Sequence, residues 1–219
     1  MRSDPDIKRD VEDELRWDPD IDPTDIAVAV KSGVVTLTGY VRSYAQKYAA
    51  ERAAKHVTGV VGVANDLDVR LPVADERPDP EIAREAVANL KIWLPNSWKN
   101  IQAIVKNGWV TLEGELEWNY QREYAERAVR WIKGVKGVSN LIRLKLRDQP
   151  RPEEIKQKIE EAFRRSALVD ANRVTVETHG GEVVLKGTVR SWAEREEAEH
   201  AAWLAPTVTR VDNRLAVSP

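Results

Sequence analysis

Three stretches of the chain place a glycine at each end of a β-branched segment, and glycines can bring a backbone close to a phosphate group. The stretches GVVTLTG, GWVTLEG and GEVVLKG are bounded by Gly33 and Gly39, Gly108 and Gly114, and Gly181 and Gly187. A phosphate loop needs G-x-x-x-x-G-K-[ST] leading into a helix, and a dinucleotide fingerprint needs G-x-G-x-x-G. Here tyrosine, glutamate or threonine follows the second glycine. The pattern therefore predicts strands bounded by turns, and no nucleotide site.

An acidic segment in the first third of the chain has the residue type that calcium prefers. DPDIDPTD, Asp18 to Asp25, alternates carboxylates with other residues. A calcium loop also needs a glycine at its sixth position, where Pro23 stands. The segment is therefore interpreted as an acidic surface loop.

The histidines and serines give no catalytic or metal-binding pattern. The histidines are His56, His179 and His200. Glu196 and His200 are four residues apart, but two ligands do not make a metal site. No serine lies in a nucleophile-elbow context, and no carboxylate pair has a reason to be buried. We therefore expect a non-enzymatic protein with no metal and no cofactor.

The middle third of the chain concentrates aromatic and basic side chains. It holds five of the eight tryptophans, Trp93, Trp98, Trp109, Trp118 and Trp131. Tyr120, Tyr124, Arg127 and Trp131 recur at i, i+4, i+7 and i+11, which places them along one helix face. The candidate surface or partner-binding residues are Trp109, Trp118, Tyr120, Tyr124, Arg127, Arg130, Trp131 and Lys133.

Two interpretations of this aromatic band stay open. It packs the middle domain against its two neighbours, or it forms an interfacial membrane patch or a protein-docking surface. Of these, domain packing is favoured. For binding, the lead hypothesis is an anionic phospholipid surface, and the alternative is a protein partner of a scaffold or chaperone-like protein. Nucleic acid is disfavoured, because the net charge is −2 and no DNA- or RNA-binding motif occurs.

The glycine-bounded stretch recurs at spacings of 75 and 73 residues, and other landmarks recur with it. Asn65, for example, corresponds to Asn140 and Asn213. A unit of about 70 residues is too long for a solenoid repeat and fits a small domain present three times. The predicted domains are residues 4–72, 79–147 and 152–217, joined at VADERP and DQPR.

Each copy has the pattern α-β-β-α-β. A helix with one apolar stripe opens the unit, two strands follow around a glycine turn, and an alanine-rich helix precedes a third strand. Asp4-Pro5 and Asp79-Pro80 predict N-cap carboxylates, and Ser43 and Ser191 predict capping boxes. The fold class is α+β, with both helices on one face of a three-stranded sheet. Val34, Trp109 and Glu182 fall on the opposite, uncovered face.

Composition limits the cell compartment and the kinds of partner. The chain has no cysteine, no signal-peptide pattern and no apolar run long enough to span a bilayer. We expect a cytoplasmic protein with no transmembrane segment, or a periplasmic one if a leader has been removed. Residues 79–147 carry 12 basic and 8 acidic side chains, a net +4, whereas residues 4–72 carry −4 and residues 152–219 carry −2.

These motifs resemble those of the BON domain. The pattern V-x-L-x-G-x-V occurs as VTLTGYV, VTLEGEL and VVLKGTV, and G-V-x-x-V-x-N-x-L occurs as GVVGVANDL and GVKGVSNLI. In the third copy Thr207 and Arg210 replace Gly59 and Gly62. The resemblance implies a non-enzymatic binding or stabilising module, similar to osmotically inducible periplasmic proteins and often linked to phospholipid surfaces.

Overall fold

A computed structural model describes residues 2–145, 151–205 and 208–218. Its helices and strands form three α-β-β-α-β units, so the predicted α+β architecture is confirmed. The end of the second predicted domain at residue 147, most of the linker DQPR, and Thr207 lie outside the described residues.

The three units have matching elements. The first contains α1 (Asp4–Trp17), β1 (Ile26–Lys31), β2 (Val34–Val41), α2 (Tyr44–His56) and β3 (Gly62–Val69). The second contains α3 (Asp79–Trp93), β4 (Ile101–Lys106), β5 (Trp109–Leu116), α4 (Asn119–Arg130), β6 (Gly137–Asn140) and β7 (Arg143–Leu144). The third contains α5 (Pro152–Arg165), β8 (Val174–His179), β9 (Glu182–Val189), α6 (Trp192–Trp203) and β10 (Arg210–Val217).

In every sheet the second strand is central. It pairs antiparallel with the first strand through the hairpin and parallel with the last strand through the second helix. In the second unit the last strand is interrupted, and β6 and β7 both pair with β5. Each unit buries its own cluster of apolar side chains between the sheet and its two helices. Among the described residues, no helix of the same unit lies on the opposite sheet face, where Val34 and Trp109 are exposed.

The predicted capping role of the first aspartate is wrong. Ser3 caps α1 by accepting from the backbone N–H of Asp6, and Asp4 is the first residue of the helix. The Asp4 carboxylate instead accepts from the backbone N–H groups of Ser32 (2.8 Å) and Gly33 (2.9 Å) in the hairpin turn. Asp79 makes the same pair of contacts in the second unit. This carboxylate therefore fixes the opening helix to the hairpin, because a carboxylate can accept several hydrogen bonds.

The second glycine of each repeated stretch sits where the chain crosses over its own backbone. Gly39 has φ of 112°, and a Cβ there would lie 2.0 Å from the carbonyl oxygen of Asp25. The corresponding distances are 1.9 Å at Gly114 and 2.1 Å at Gly187. No side chain fits at that distance, which is a structural reason for glycine at this position.

One asparagine fixes the second helix of each unit to its last strand. The Asn65 Nδ2 group donates to the carbonyl oxygen of Lys47 (3.0 Å) and to Glu51 Oε2 (3.2 Å), while Oδ1 accepts from Leu67 N (3.4 Å). Asn140 and Asn213 make the same three contacts in their units. The recurrence of this asparagine therefore has a structural cause.

The second helices of the three units meet one another in cyclic order. At the first seam, between α2 and α4, the guanidinium of Arg130 stacks 3.3 Å from the ring centre of Tyr48. At the second seam, between α6 and α2, Lys55 Nζ lies 5.3 Å from a ring centre of Trp192. At the third seam, between α4 and α6, the Arg122 guanidinium lies 4.8 Å from a ring centre of Trp203. Each seam thus joins the start of one helix to the end of the next through a cation and an aromatic ring.

Candidate functional site

The aromatic side chains of the second unit form an exposed cluster where α3 ends and α4 begins. The ring centre of Tyr124 lies 6.1 Å from that of Trp93 and 5.6 Å from that of Tyr120, and both pairs meet edge to face. The exposed fractions are 47% for Trp93, 50% for Tyr120 and 39% for Tyr124, and the neighbouring Ile92 is 75% exposed. We call Ile92, Trp93, Tyr120 and Tyr124 the aromatic patch. It is an apolar surface without a covering element in the described chain.

Hydrogen bonds from polar side chains hold the elements that carry the patch. Asn89 on α3 donates from Nδ2 to the carbonyl oxygen of Ala128 on α4 (3.0 Å), which fixes the two helices side by side. Gln121 accepts from the backbone N–H of Trp118 (3.1 Å) and donates from Nε2 to Ser97 Oγ (2.8 Å). Both ends of the patch are therefore anchored to a rigid scaffold.

Trp118 changes how α4 begins, as its sequence position indicates. In the other units Ser43 and Ser191 accept from a backbone N–H of the first helical turn. An indole nitrogen is a donor only, so Trp118 has no oxygen with which to cap the helix. The Gln121 side chain supplies part of the capping instead. Trp118 itself is 42% exposed.

A basic side chain adjoins the patch on α3. Lys91 directly precedes Ile92 in the helix, and its ammonium group lies 4.5 Å from a ring centre of Trp98. The apolar patch thus has a cation next to it, within a unit whose net charge is +4. Exposed aromatic rings next to cations suit a surface that is apolar in part and anionic in part.

The structure brings only some of the predicted binding residues together. Tyr120 and Tyr124 belong to the patch, and Arg127 and Trp131 are exposed further along α4. Trp109 lies on the uncovered sheet face, where its Nε1 donates to Ser139 Oγ (2.8 Å). It is thus separated from the α4 residues by the sheet itself.

Two predicted binding residues contact other parts of the same chain. Arg130 is buried, stacks on Tyr48 of the first unit, and donates to Glu126 (2.7 Å). Lys133 is exposed and pairs with Asp75 (2.7 Å), which precedes α3. The end of α4 therefore faces the first unit, while its beginning carries the patch.

Ile92 and Trp93 were missing from the residues proposed from the sequence. Ile92 falls outside the i, i+4, i+8 stripe that buries Ile82, Ala86 and Leu90, which is a usable sign that it faces away from the core. Trp93 is i+3 from Leu90 and in line with that stripe, so its spacing gives no such sign. What the sequence does not give is their contact with α4, because that depends on how two helices far apart in the chain pack together.

Within residues 2–145, 151–205 and 208–218, no group of three or more His, Cys, Asp or Glu side chains could hold a metal ion. Among the helices of these same segments, none combines the length and apolar character needed to cross a membrane.

The sequence was compared with protein families and with curated proteins. The family model described as BON domain matches residues 3–70, 81–145 and 153–219. Over 133 residues the chain is 32% identical to osmotically-inducible protein Y of Escherichia coli strain K12, and the match covers 57% of this chain. It covers 64% of that protein, slightly less than two thirds of its length.

Solved structures give a weaker likeness. Two structures of CdsD, a structural protein of the type III secretion system of Chlamydia trachomatis, are 17% and 15% identical to this chain. The matches cover 98% and 100% of this chain and 93% and 100% of those chains, with TM-scores of 0.27 and 0.28. Because its three family matches span most of the sequence, the chain belongs to the BON domain family, whose domain it carries three times in tandem.

Proposed function

We propose that this protein associates with anionic phospholipid surfaces through the aromatic patch of its middle unit and acts without catalysing a reaction. The observation that carries the proposal is the exposed cluster of Ile92, Trp93, Tyr120 and Tyr124. Tyrosine and tryptophan suit the boundary between headgroups and acyl chains, because their rings are apolar and each bears one polar group. The name of the Escherichia coli relative supports a role under osmotic stress.

Charge supports the same assignment. The middle unit has a net charge of +4, and Lys91 directly precedes the patch residue Ile92 on α3. A basic residue near an anionic membrane contributes about 1 kcal/mol of attraction, which falls as salt screens it. The first and third units, with net charges of −4 and −2, would be repelled by the same surface. The patch is therefore the part of the chain that suits first contact.

Sedimentation with vesicles tests the proposal. The double substitution Trp93→Ala with Tyr124→Ala removes two exposed rings and is expected to weaken binding to anionic vesicles about tenfold or more, at roughly 1 kcal/mol for each partly inserted ring. Trp17→Ala is the matched control, since Trp17 is 84% exposed on the first unit. Circular dichroism checks that both variants are folded. Equal binding by the double variant and the wild type contradicts the proposal, as does equal binding to neutral and anionic vesicles at low salt.

A protein-binding scaffold is the second candidate, favoured by the uncovered sheet face of the same unit. Ile104, Trp109 and Leu141 are each about half exposed there. The corresponding face of the third unit bears ion pairs between Lys186 and Glu177 and between Arg210 and Glu182. An aggregation-suppression assay without lipid distinguishes the candidates. Activity that is lost in Trp109→Ala but kept in the patch variant favours the scaffold.

A further inference from the structure

One asparagine–glycine pair occurs in the chain, and it lies in the hairpin turn of the second unit. Asn107 and Gly108 join β4 to β5, where the other units have Ser32–Gly33 and Gly180–Gly181. Asn107 has φ of 53° and Gly108 has φ of 78°, both in the left-handed region that asparagine and glycine tolerate best. An asparagine suits this turn, but it also brings a chemical reactivity that serine and glycine lack.

An asparagine followed by glycine can lose its side-chain amide without an enzyme. The backbone nitrogen of Gly108 gives up its proton and attacks Cγ of Asn107, which closes a succinimide ring. The side-chain NH2 group takes up a proton and leaves as ammonia. Water then adds to one of the two ring carbonyls and opens the ring. The product is aspartate, or isoaspartate, in which the main chain runs through the former side chain. Glycine favours the attack because it has no Cβ to obstruct the approach.

In this structure a carboxylate holds the attacking nitrogen. Asp79, the first residue of α3, accepts from the Gly108 N–H through Oδ1 (2.9 Å) and from the Asn107 N–H through Oδ2 (2.7 Å). An anion at this distance opposes removal of the Gly108 proton, because two negative charges would then lie side by side. Gly108 is buried and its carbonyl oxygen accepts from Lys136 N (2.9 Å), whereas Asn107 is exposed. The reactive pair is thus present, but its nucleophile is restrained.

We propose that Asn107 is a site of spontaneous deamidation that the Asp79 carboxylate holds in check, and that the conversion releases α3 from the hairpin. In the aspartate product, a second carboxylate stands on the residue whose N–H group Asp79 accepts, so like charges oppose the contact. In the isoaspartate product, an extra backbone carbon separates the two N–H groups and disturbs their fit to one carboxylate. Either product weakens the contact that protected the turn, so the extent of modification rises with the time that α3 spends detached.

The equivalent turns of the other units lack this reaction. Asp4 makes the same pair of contacts in the first unit, but the residue before the glycine there is Ser32, which has no side-chain amide. Gly180 takes that place in the third unit. The modification is therefore specific to the middle unit. It does not depend on the proposed membrane function, since the reaction needs only water and is measured without lipid.

Peptide mass spectrometry after incubation of the full chain in mildly alkaline buffer measures the conversion at position 107. Asp79→Ala is expected to deamidate about tenfold faster than the wild type, the size of one hydrogen bond to a charged acceptor. In urea both proteins should react at the same, higher rate, because the Asp79 contact exists only in the folded state. Asn107→Ser should show no conversion, which assigns the reaction to this residue.

Asn140→Ala is the matched control for a loss of stability in the same unit. It removes the hydrogen bonds from Asn140 to the carbonyl oxygen of Arg122 and to Glu126, and it leaves the turn intact. Its rate of deamidation should stay close to that of the wild type. Equal acceleration by Asn140→Ala and Asp79→Ala overturns the proposal, because the overall stability of the unit would then set the rate. A folded Asp79→Ala that reacts no faster than the wild type overturns it as well.

Hydrogen exchange tests the release of α3. Asn107→Asp carries the new carboxylate from the start and should speed exchange of the Gly108 N–H about tenfold relative to Asn107→Ser, because the Asp79 contact is opposed only in the aspartate variant. Equal exchange in the two variants would show that conversion leaves α3 attached to the hairpin and would refute that part of the proposal.

Discussion

Changing Asn65 to aspartate is expected to destabilise the first unit strongly at neutral pH and less in acid. The native Nδ2 group lies 3.0 Å from the carbonyl oxygen of Lys47 and 3.2 Å from Glu51 Oε2. Aspartate is nearly the same size but places an oxygen where Nδ2 lies. That oxygen would face two other acceptors, the Lys47 carbonyl and the Glu51 carboxylate. The Oδ1 contact with the N–H of Leu67 is kept, because a carboxylate oxygen also accepts.

The magnitude follows from these contacts. Two lost hydrogen bonds, one of them to a carboxylate, cost about 2 kcal/mol. Two like charges about 4 Å apart add roughly 1–2 kcal/mol in a partly exposed site, between the values for bulk water and for a protein surface. The total for Asn65→Asp is about 3–4 kcal/mol at pH 7. Asn65→Ala removes these two hydrogen bonds and the one from the Leu67 N–H without adding a charge. It should cost about 2–3 kcal/mol, with a weaker pH dependence than Asn65→Asp.

The pH dependence distinguishes the two variants. Glu51 is held ionised, because hydrogen bonds from Lys55 and Asn65 lower the pKa of its carboxyl even though burial acts to raise it. A new carboxylate beside it would have a folded-state pKa raised above the unfolded value of about 3.9. Protonation of that group favours the folded state, so stability relative to wild type is lost as pH rises through the raised pKa. The deficit of Asn65→Asp should therefore shrink between pH 7 and pH 4.

Urea unfolding followed by circular dichroism at pH 7 and pH 4, with hydrogen exchange of α2 and β3, measures both effects. The repeats serve as further tests. The distance from the asparagine Nδ2 to the glutamate is 2.8 Å at Asn213 and 3.5 Å at Asn140. Asn213→Asp should therefore cost more than Asn140→Asp. An aspartate variant that matches the alanine variant at both pH values would refute the reasoning.

Three further predictions concern single contacts. Glu194 is buried, and hydrogen bonds from the backbone N–H groups of Arg190 and Asp170 lower the pKa of its carboxyl, although burial opposes them. The stability that ionised Glu194 gives the folded protein is thus present above the unfolded pKa of about 4.3 and is lost as pH falls through the lower folded pKa. Glu194→Gln should therefore cost about 1–2 kcal/mol in urea unfolding at pH 7 and less at pH 3. Gly39→Ala should cost more than about 3 kcal/mol by thermal unfolding, because its Cβ would overlap the Asp25 carbonyl, whereas Gly180→Ala, with nothing within 4 Å, should cost about 1 kcal/mol. Asp79→Ala should cost about 1–2 kcal/mol and speed hydrogen exchange at Asn107 and Gly108, because the Asp79 carboxylate accepts hydrogen bonds from their backbone N–H groups. Unchanged exchange there would contradict this role.

The architecture of each unit was predictable because it depends on local periodicity. Apolar spacing of i, i+4 and i+8 can bury one helix stripe, and alternating residues can bury one face of a strand. The role of Asp4 was not predictable in the same way. Aspartate before proline suits an N-cap, but here Ser3 takes that position and the carboxylate turns to the hairpin 28 residues away. A contact of that range is decided by tertiary packing.

The seams were unpredictable for a related reason. Tyr44 and Trp192 occupy the first position of a helix, where a residue next to a cap is ordinarily exposed. Only the approach of another unit gives these rings an apolar surface to cover. The sequence did indicate that the aromatic band serves either packing or binding. In the structure, one part of the band packs against another unit and another part is exposed. Arg130 packs against Tyr48, while Tyr120 and Tyr124 remain exposed.

The copies differ at a position where the units meet. The residues that build each unit are repeated, including the bridging asparagine and the glycine under the crossing backbone. The first position of the central helix, in contrast, is tyrosine, asparagine and tryptophan in turn. Different residues at that one position give the seams different contacts, because Tyr44 packs against the core of the second unit and Trp192 against the core of the first. The copies are therefore alike in the contacts that build a unit and differ in contacts that one unit makes with the next.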